Sequence, residues 1–204
     1  ESGLRREWSE VDGRSKALAA MEAQFEGLDQ GPKHVLSTRP EGLRGRLVDL
    51  LEIDLQYSTA LEAALGSYVQ ALVVDTRANA AAVVQDLQQR RLGRVLLLVE
   101  EEFAAEVRTG SILPLPAGAQ SLLDLVRPAG SGDRSQRLLA WLLRGVVLVD
   151  DLTQADSGRA DLCYVTRSGQ LLCGPRVEGG EAAEGHAGLV VRRSQIQDLQ
   201  KAAA

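Results

Sequence analysis

The stretch YSTALEAALGSYVQALVVD, residues Tyr57–Asp75, contains the clearest structural signal in the sequence. The segment Gln56–Leu65 has the pattern of a helix. The segment Tyr68–Asp75 is a nearly continuous apolar run, which is typical of a strand buried on both faces. A helix followed by a buried strand is a unit of an α/β fold, so we expect the chain to belong to the mixed α/β class.

The segments on either side of this stretch continue the alternation of strands and helices. Arg46–Ile53 is predicted to be a strand, Arg77–Arg91 a helix and Arg94–Val99 another strand. The connection LPLPAGA, rich in proline and glycine, comes next, and the pattern then starts again. The predicted elements after it are a strand in SLLDLV, a helix over Asp133–Leu143, the strand VVLVDD, a short helix near Leu152–Ala155, and strands in DLCYVTR and QLLC.

The two runs of elements also match in residue identity at a constant offset of 75 positions. Leu47, Asp49, Leu50, Val74, Asp75 and Ala80 correspond to Leu122, Asp124, Leu125, Val149, Asp150 and Ala155. Chance is the alternative explanation, because alanine, leucine and valine dominate the composition. We interpret the matches as two similar α/β subdomains, over residues 31–115 and 116–188.

The two ends of the chain have a different pattern from the middle. Leu4, Val11, Leu18 and Phe25 are seven residues apart, the spacing of a coiled coil, and Gly27 and the pair Gly31-Pro32 are predicted to end that helix. Leu189, Ile196 and Leu199 show a similar spacing. We expect residues 1–30 and 189–204 to pair as an antiparallel coiled-coil stub, Leu4–Leu28 beside Leu189–Leu199, cut from a longer helical hairpin. Two ordinary amphipathic surface helices are the alternative.

Composition limits the classes of function. The chain has 204 residues, 45% of them hydrophobic, which is enough for a real core. A net charge of −5 argues against a surface that binds nucleic acid everywhere, although a local basic patch is compatible with it. Two cysteines and no apolar N-terminal segment indicate a cytoplasmic protein without a membrane span. Cys163 and Cys173 would face one another if CYVTRSGQLLC were a hairpin, but two reduced thiols are the favoured interpretation.

The sequence predicts no enzymatic activity, no cofactor and no metal site. The sequence has no GxxxxGK[ST] phosphate loop, and neither His34 nor His186 belongs to a zinc or nucleophile motif. The rival signal is Asp150-Asp151 after VVLV, since carboxylates at a strand end hold Mg²⁺ or accept phosphate in receiver domains. That pair comes late in the chain, so capping of the next helix by Asp150 or Asp151 is favoured.

Taken in order, several stretches of the chain resemble one known family. They are FEGLDQGPKHVLS, GLRGRLVDLLEID, YSTALEAALGSYVQALVVDT, VVLVDDLTQA, YVTRSGQ, the pair Gly179-Gly180 and VVRRSQIQDL. The chain is similar over nearly its whole length to the hinge domain of structural maintenance of chromosomes (SMC) proteins, most of all the bacterial type. The resemblance rests chiefly on the pattern YxxAxExALGxxxQALVVD, on the closing glycines and on RRxxI at Arg192–Ile196.

The resemblance implies a function in chromosome condensation and segregation, of the condensin type. In such a protein a coiled-coil arm enters and leaves the hinge, two hinges form a homodimer, and the ATPase heads lie outside the fragment; the location implied is the cytoplasm, at the nucleoid. Glycines would let the partner's sheet edge come close. Tight turns are the alternative role for each glycine. The interface candidates are Gly169, Gly174, Gly179, Gly180, Arg94, Val95 and Leu97.

The resemblance also implies weak contact with DNA near the junction of globule and coil. Basic residues in the segments expected there are Lys33, Arg39, Arg44, Arg46, Arg192 and Arg193. A solvated basic face is the alternative explanation for such a set.

Overall fold

The structure of the chain is a computed structural model. It describes residues 28–105, 115–116, 118–129, 133–156, 158–159, 161–180 and 188–202. The helices are α1 (Gln30–Thr38), α2 (Leu55–Leu65), α3 (Arg77–Arg90), α4 (Glu100–Ala105), α5 (Asp133–Leu142) and α6 (Leu189–Ala202). The strands are β1 (Leu43–Arg46), β2 (Leu51–Ile53), β3 (Leu72–Val74), β4 (Leu97–Val99), β5 (Gln120–Ser121), β6 (Val126–Pro128), β7 (Val146–Val149), β8 (Cys163–Thr166), β9 (Leu171–Cys173) and β10 (Arg176–Glu178).

The strands form three sheets. The first has the order β1-β3-β4, with β1 antiparallel and β4 parallel to β3. The second has the order β10-β9-β8-β7-β5, in which only β7 and β8 run parallel. The third is a two-stranded antiparallel ribbon of β2 and β6. The predicted mixed α/β class is therefore confirmed.

Several predicted elements are shorter or more broken than the sequence pattern indicated. The single strand predicted over Arg46–Ile53 is wrong: a 3₁₀ turn at Leu47–Leu50 separates β1 from β2. The strand predicted over Tyr68–Asp75 is reduced to β3, because Gly66–Gln70 also forms a 3₁₀ turn. Apolar residues line the core in both conformations, so hydrophobicity alone does not separate a strand from a 3₁₀ turn.

Helix α1 was not predicted. Gly31 and Pro32 were expected to mark a helix end, but they lie in the first turn of α1, where proline is well tolerated because its missing N–H would have no intrahelical partner. Gly31 also packs closely on another segment, since a Cβ at this position would lie 2.5 Å from the carbonyl oxygen of Arg94. Helix α1 is thereby fixed beside the segment that leads into β4.

The 75-residue offset found in the sequence recurs in the structure. The 3₁₀ turns Leu47–Leu50 and Leu122–Leu125 are 75 residues apart, and each is followed directly by a strand of the ribbon, β2 or β6. In both halves the first strand is antiparallel to the second, and the third is parallel to the second: β1, β3, β4 in one half and β5, β7, β8 in the other. The subdomain boundaries at 31–115 and 116–188 remain predictions.

The β2–β6 ribbon joins the two halves about a local two-fold axis. Its middle pair is Glu52 opposite Arg127, two residues that are themselves 75 positions apart. Leu51 lies opposite Pro128 and Ile53 opposite Val126, so each half contributes equivalent positions to the same ribbon. The two halves therefore pair with each other as two copies of one unit would.

One large core lies between the halves. It contains Val73 and Leu98 from the first sheet and Leu148 and Val165 from the second, together with Leu61 of α2. Alternate residues of the central strands point to the other face, where two smaller cores form, one around Leu72, Val83 and Leu87 and one around Val147, Val149 and Tyr164. The central strands are buried on both faces, as the continuous apolar runs predicted.

The two cysteines differ from the expectation of separate reduced thiols. In the β8–β9 hairpin Cys163 lies directly opposite Cys173, with Cα atoms 4.3 Å apart, and the two form a disulfide. The hairpin register decides this outcome, and the register depends on the turn at Arg167–Gln170, which the strand pattern does not specify.

Candidate functional site

Strand β10 is an open edge of the five-stranded sheet. Its three residues, Arg176, Val177 and Glu178, are all exposed, and among the described residues only β9 pairs with it. Val177 is the most exposed large hydrophobic residue of the described chain, with 67% of its surface accessible. Strand β10 was not predicted from the sequence, although the glycines that flank it, Gly174 and Gly179, were.

Strand β4 is an open edge of the three-stranded sheet. Within the described ranges, β3 is its only hydrogen-bonded neighbour. Of the interface candidates in this half, Arg94 and Val95 lie in the extended segment before β4, and Leu97 begins the strand. Arg94 is exposed, whereas Val95 and Leu97 are half-buried against the core formed with α1 and α3.

The four candidate glycines have different local roles. Gly169 has φ +85° in the β8–β9 turn and packs on α2, because a Cβ there would lie 3.0 Å from Cγ2 of Thr59. Gly174 (φ +56°) forms the β9–β10 turn. Gly179 directly follows β10 without a positive φ, and a Cβ there would lie 3.4 Å from Cγ of Gln170. Gly180 (φ +126°) comes next, and neither Gly174 nor Gly180 has any atom within 4 Å of an added Cβ. Gly180 thus combines a conformation that favours glycine with open space beside the exposed edge.

A carboxylate from α2 accepts a hydrogen bond from the first residue of the C-terminal helix α6. The backbone N–H of Leu189 donates to Oε1 of Glu62 at 3.1 Å. Burial raises the pKa of Glu62, while this amide, the nearby amides of Val190 and Val191 and the charge of Arg192 act in the opposite direction. Sequence analysis missed this role of Glu62, although it is the glutamate of the pattern YxxAxExALGxxxQALVVD.

Three of the basic candidates line one pocket on the surface. Arg39, Arg44 and Arg46 surround it together with Asp49, and its volume is about 320 Å³. Arg46 is only 7% exposed and donates two hydrogen bonds to Asp49, at 2.8 and 2.7 Å, so its charge is matched within the fold. Arg44 is exposed and bonds to Glu100 at 3.1 Å. Arg39 is exposed and ends α1 in the left-handed conformation, with φ 45°.

The remaining basic candidates lie on two different helices. Lys33 is half-buried in α1, and Arg192 and Arg193 are half-buried in α6. Nε of Arg193 is 3.8 Å from Oδ1 of Asp49, which brings the start of α6 to the same carboxylate that Arg46 binds. The structure therefore brings Arg46 and Arg193 to Asp49, which lines the same pocket as Arg39 and Arg44.

Asp151, the second residue of the acidic pair after β7, serves in capping, which was favoured from the sequence for Asp150 or Asp151. The side chain of Asp151 accepts a hydrogen bond from the amide of Thr153 at 2.7 Å and caps the 3₁₀ turn Leu152–Gln154. Thr76, 75 residues earlier, caps α3 in the same way through the amide of Asn79. Within the described ranges no group of three or more histidine, cysteine, aspartate or glutamate side chains is arranged to hold a metal ion.

The predicted coiled-coil pairing of Leu4–Leu28 with Leu189–Leu199 lies largely outside the described residues, because the description begins at residue 28. Helix α6 is present as predicted, and its contacts are with α2 and with the 3₁₀ turns at Leu47–Leu50 and Gly66–Gln70. No helix among the described residues is both long enough and apolar enough to cross a bilayer.

Comparison with known proteins agrees with the fold. Residues 40–158 match the family model for the SMC proteins Flexible Hinge Domain. The chromosome partition protein Smc of Mycobacterium tuberculosis is 36% identical over 143 residues, which cover 68% of this chain and 12% of that protein. The Smc protein of Bacillus subtilis is 27% identical over 212 residues, covering 98% and 18%. The chain thus spans less than a fifth of the length of these curated relatives.

A solved structure is similar over almost the whole chain. It is the Geobacillus stearothermophilus SMC hinge domain, described as an asymmetric dimer, with a TM-score of 0.73, 25% identity, and coverage of 98% of this chain and 84% of that one. The family model covers more than half of the chain. The chain belongs to the family of SMC hinge domains.

Proposed function

We propose that this domain is the dimerisation hinge of an SMC protein that organises the bacterial chromosome, and that it joins two coiled-coil arms. The observation that carries the proposal is the presence of two open sheet edges in one chain, β4 in the first half and β10 in the second. An exposed edge presents unpaired backbone N–H and C=O groups that a second chain can satisfy.

The two edges allow a closed dimer. If β10 of one protomer pairs with β4 of the other, a two-fold axis generates the same contact a second time, and neither of these two edges is left for a third chain. Val177 supplies an apolar side chain at the centre of β10, and its exposure leaves most of its surface free to be buried by a partner. Gly180 supports the proposal because a partner's backbone can come close where there is no side chain.

The experiment is sedimentation equilibrium of the chain and of the variant Gly180→Val. The wild type, of 21.9 kDa per chain, is expected to sediment with about twice that mass. A β-branched residue at φ +126° introduces strain of about 1–3 kcal/mol and places bulk beside the edge, so the variant is expected to dissociate into folded monomers.

Gly118→Val is the matched control for this variant. Gly118 also has a positive φ, of +83°, and open space around an added Cβ, but it precedes β5 at the other edge of the same sheet. The control is expected to lose stability and to remain a dimer. The proposal is contradicted if the wild type stays monomeric at about tens of micromolar.

The domain acts, in this proposal, by assembly and not by catalysis, and the ATPase heads belong to parts of the full-length protein beyond this chain. The curated relatives are bacterial chromosome partition proteins, which supports a place in the cytoplasm at the nucleoid. The role of Asp151 as a cap supports the same proposal, since it accounts for this carboxylate without Mg²⁺ or phosphoryl transfer.

Weak DNA contact is a second candidate function, favoured by the position of Arg39 and Arg44 at one pocket and of Arg193 beside Asp49, which lines that pocket. The variant Arg39→Gln is expected to lower the slope of log affinity against log salt by about one, the effect of losing one phosphate contact. Arg91→Gln is the control, because Arg91 is another exposed arginine that ends a helix with positive φ, at 56°. An equal effect of both variants excludes a specific contact at Arg39.

A further inference from the structure

The start of helix α6 is held by a single side chain from a distant part of the sequence. The first amides of an α-helix have no intrahelical partner, and in α6 the carboxylate of Glu62 takes this role, 127 residues away in the chain from Leu189. The first backbone bond of the helix follows directly, from the amide of Arg192 to the carbonyl oxygen of Gly188 at 3.0 Å.

Gly188 leaves the space that the Glu62 carboxylate occupies. A Cβ at residue 188 would overlap both oxygens and Cδ of the Glu62 carboxylate. Its φ is not in the left-handed region, so the backbone itself accepts any residue here. The absence of a side chain at Gly188 is therefore explained by Glu62 and not by backbone conformation.

Among the described elements, helices α2 and α6 form the most extensive contact. The β8–β9 turn also packs on α2, through Gly169 against Thr59 and Ala63. Strand β9 continues into β10, the proposed interface edge. Helix α2 thus lies between the hairpin that leads to the interface and the helix that leaves the globule.

We propose that Glu62 is the positioning residue that seats the outgoing helix α6 on the hinge, with Gly188 as its required partner. The carboxylate fixes where the helix begins and therefore the direction in which it leaves. The inference goes beyond dimerisation and does not require it, because every contact that carries it lies within one protomer.

The proposed role needs a hydrogen-bond acceptor and does not need a charge. The side chain is half-buried, and burial is the largest influence on its pKa and favours the neutral form. Either protonation state keeps an oxygen that accepts from the amide of Leu189. A glutamine side chain at position 62 has such an oxygen at the same distance from the backbone, whereas alanine has none.

The test is amide hydrogen exchange, read by NMR, on the 204-residue chain with Glu62→Ala, Glu62→Gln and Gln56→Ala. Loss of a cap is expected to speed exchange at Leu189, Val190 and Val191 by about 5- to 30-fold in Glu62→Ala, while the amides of β7 and β8 change little. Glu62→Gln is expected to stay within about threefold of wild type. Gln56→Ala, at an exposed site on the same helix, is expected to change none of these amides.

A double-mutant cycle with Gly188→Ala separates positioning from general destabilisation. The added methyl group displaces the carboxylate, so Gly188→Ala alone is expected to resemble Glu62→Ala, and it is expected to add nothing in the Glu62→Ala background. Additive effects, uniform loss of protection across the sheets, or failure of glutamine to restore protection would each overturn the proposal. Sedimentation of the same variants tests the dimerisation proposal separately from the role of Glu62, because dimers are expected to persist in all of them.

Discussion

Replacing Val177 with lysine tests the exposed edge of β10 at its centre. The valine is 67% exposed, so its loss removes little from the folded monomer. Burying a valine fully is worth about 1.5–3 kcal/mol, and two thirds of that, about 1–2 kcal/mol, is still to be gained on association. A two-fold dimer contains the residue twice, which makes the expected loss about 2–4 kcal/mol.

This loss corresponds to a dissociation constant raised by about 30- to 1000-fold in Val177→Lys, at about 1.4 kcal/mol for each factor of ten. Analytical ultracentrifugation over a concentration series measures the constant, and urea unfolding of the monomer confirms that the fold is kept. Val84→Lys is the control, since Val84 is 41% exposed on α3 and belongs to no sheet edge. A dissociation constant for Val177→Lys equal to that of the control would refute the assignment of β10 to the interface.

Three further predictions concern stability. Because burial raises the pKa of Glu62 above 4.5, the favourable contribution of its neutral form is complete below that value and is lost as the pH rises through the folded pKa. In urea titrations over this range, the wild type should therefore lose stability with rising pH relative to Glu62→Gln, and a constant difference would contradict the assigned shift. The Cys163–Cys173 disulfide closes a short loop, so reductant should lower the free energy of unfolding by about 2–3 kcal/mol in the wild type and leave the double serine variant unchanged. Leu61 has no exposed surface, and Leu61→Ala should cost about 2–5 kcal/mol in the same assay, with a loss under 1 kcal/mol counting against its place in the main core.

The sequence was sufficient to predict the internal repeat and the strands that are continuously apolar. The buried strands β3 and β7 follow from apolar runs, and the internal repeat follows from its constant offset, as the ribbon pair Glu52–Arg127 confirms. Strand β10 could not be found in this way, because Val177 is its only apolar residue and strand patterns are recognised by buried faces.

Long-range contacts were beyond the reach of the sequence pattern. The place of Glu62 depends on α2 and α6 packing across 127 residues of intervening chain, and the disulfide depends on a hairpin register set by turn geometry. Arg46 was a candidate for DNA contact, with a solvated basic face as the alternative, yet it is buried, and Asp49 three residues later supplies the partner that permits its burial. An i to i+3 search for opposite charges could have detected this pair.

The local two-fold axis through the β2–β6 ribbon shows how the halves have diverged. Strand β8 is the counterpart of β4, and its outer edge is covered by β9 of the same chain, whereas the outer edge of β4 has no such cover within the described residues. In the proposed dimer, β10 of the partner subunit completes the first half in the way that β9 completes the second. Since β9 runs antiparallel to β8, the same completion would set the incoming strand antiparallel to β4. Each protomer is then a donor of one strand and an acceptor of another, because the two halves of the chain present different edges.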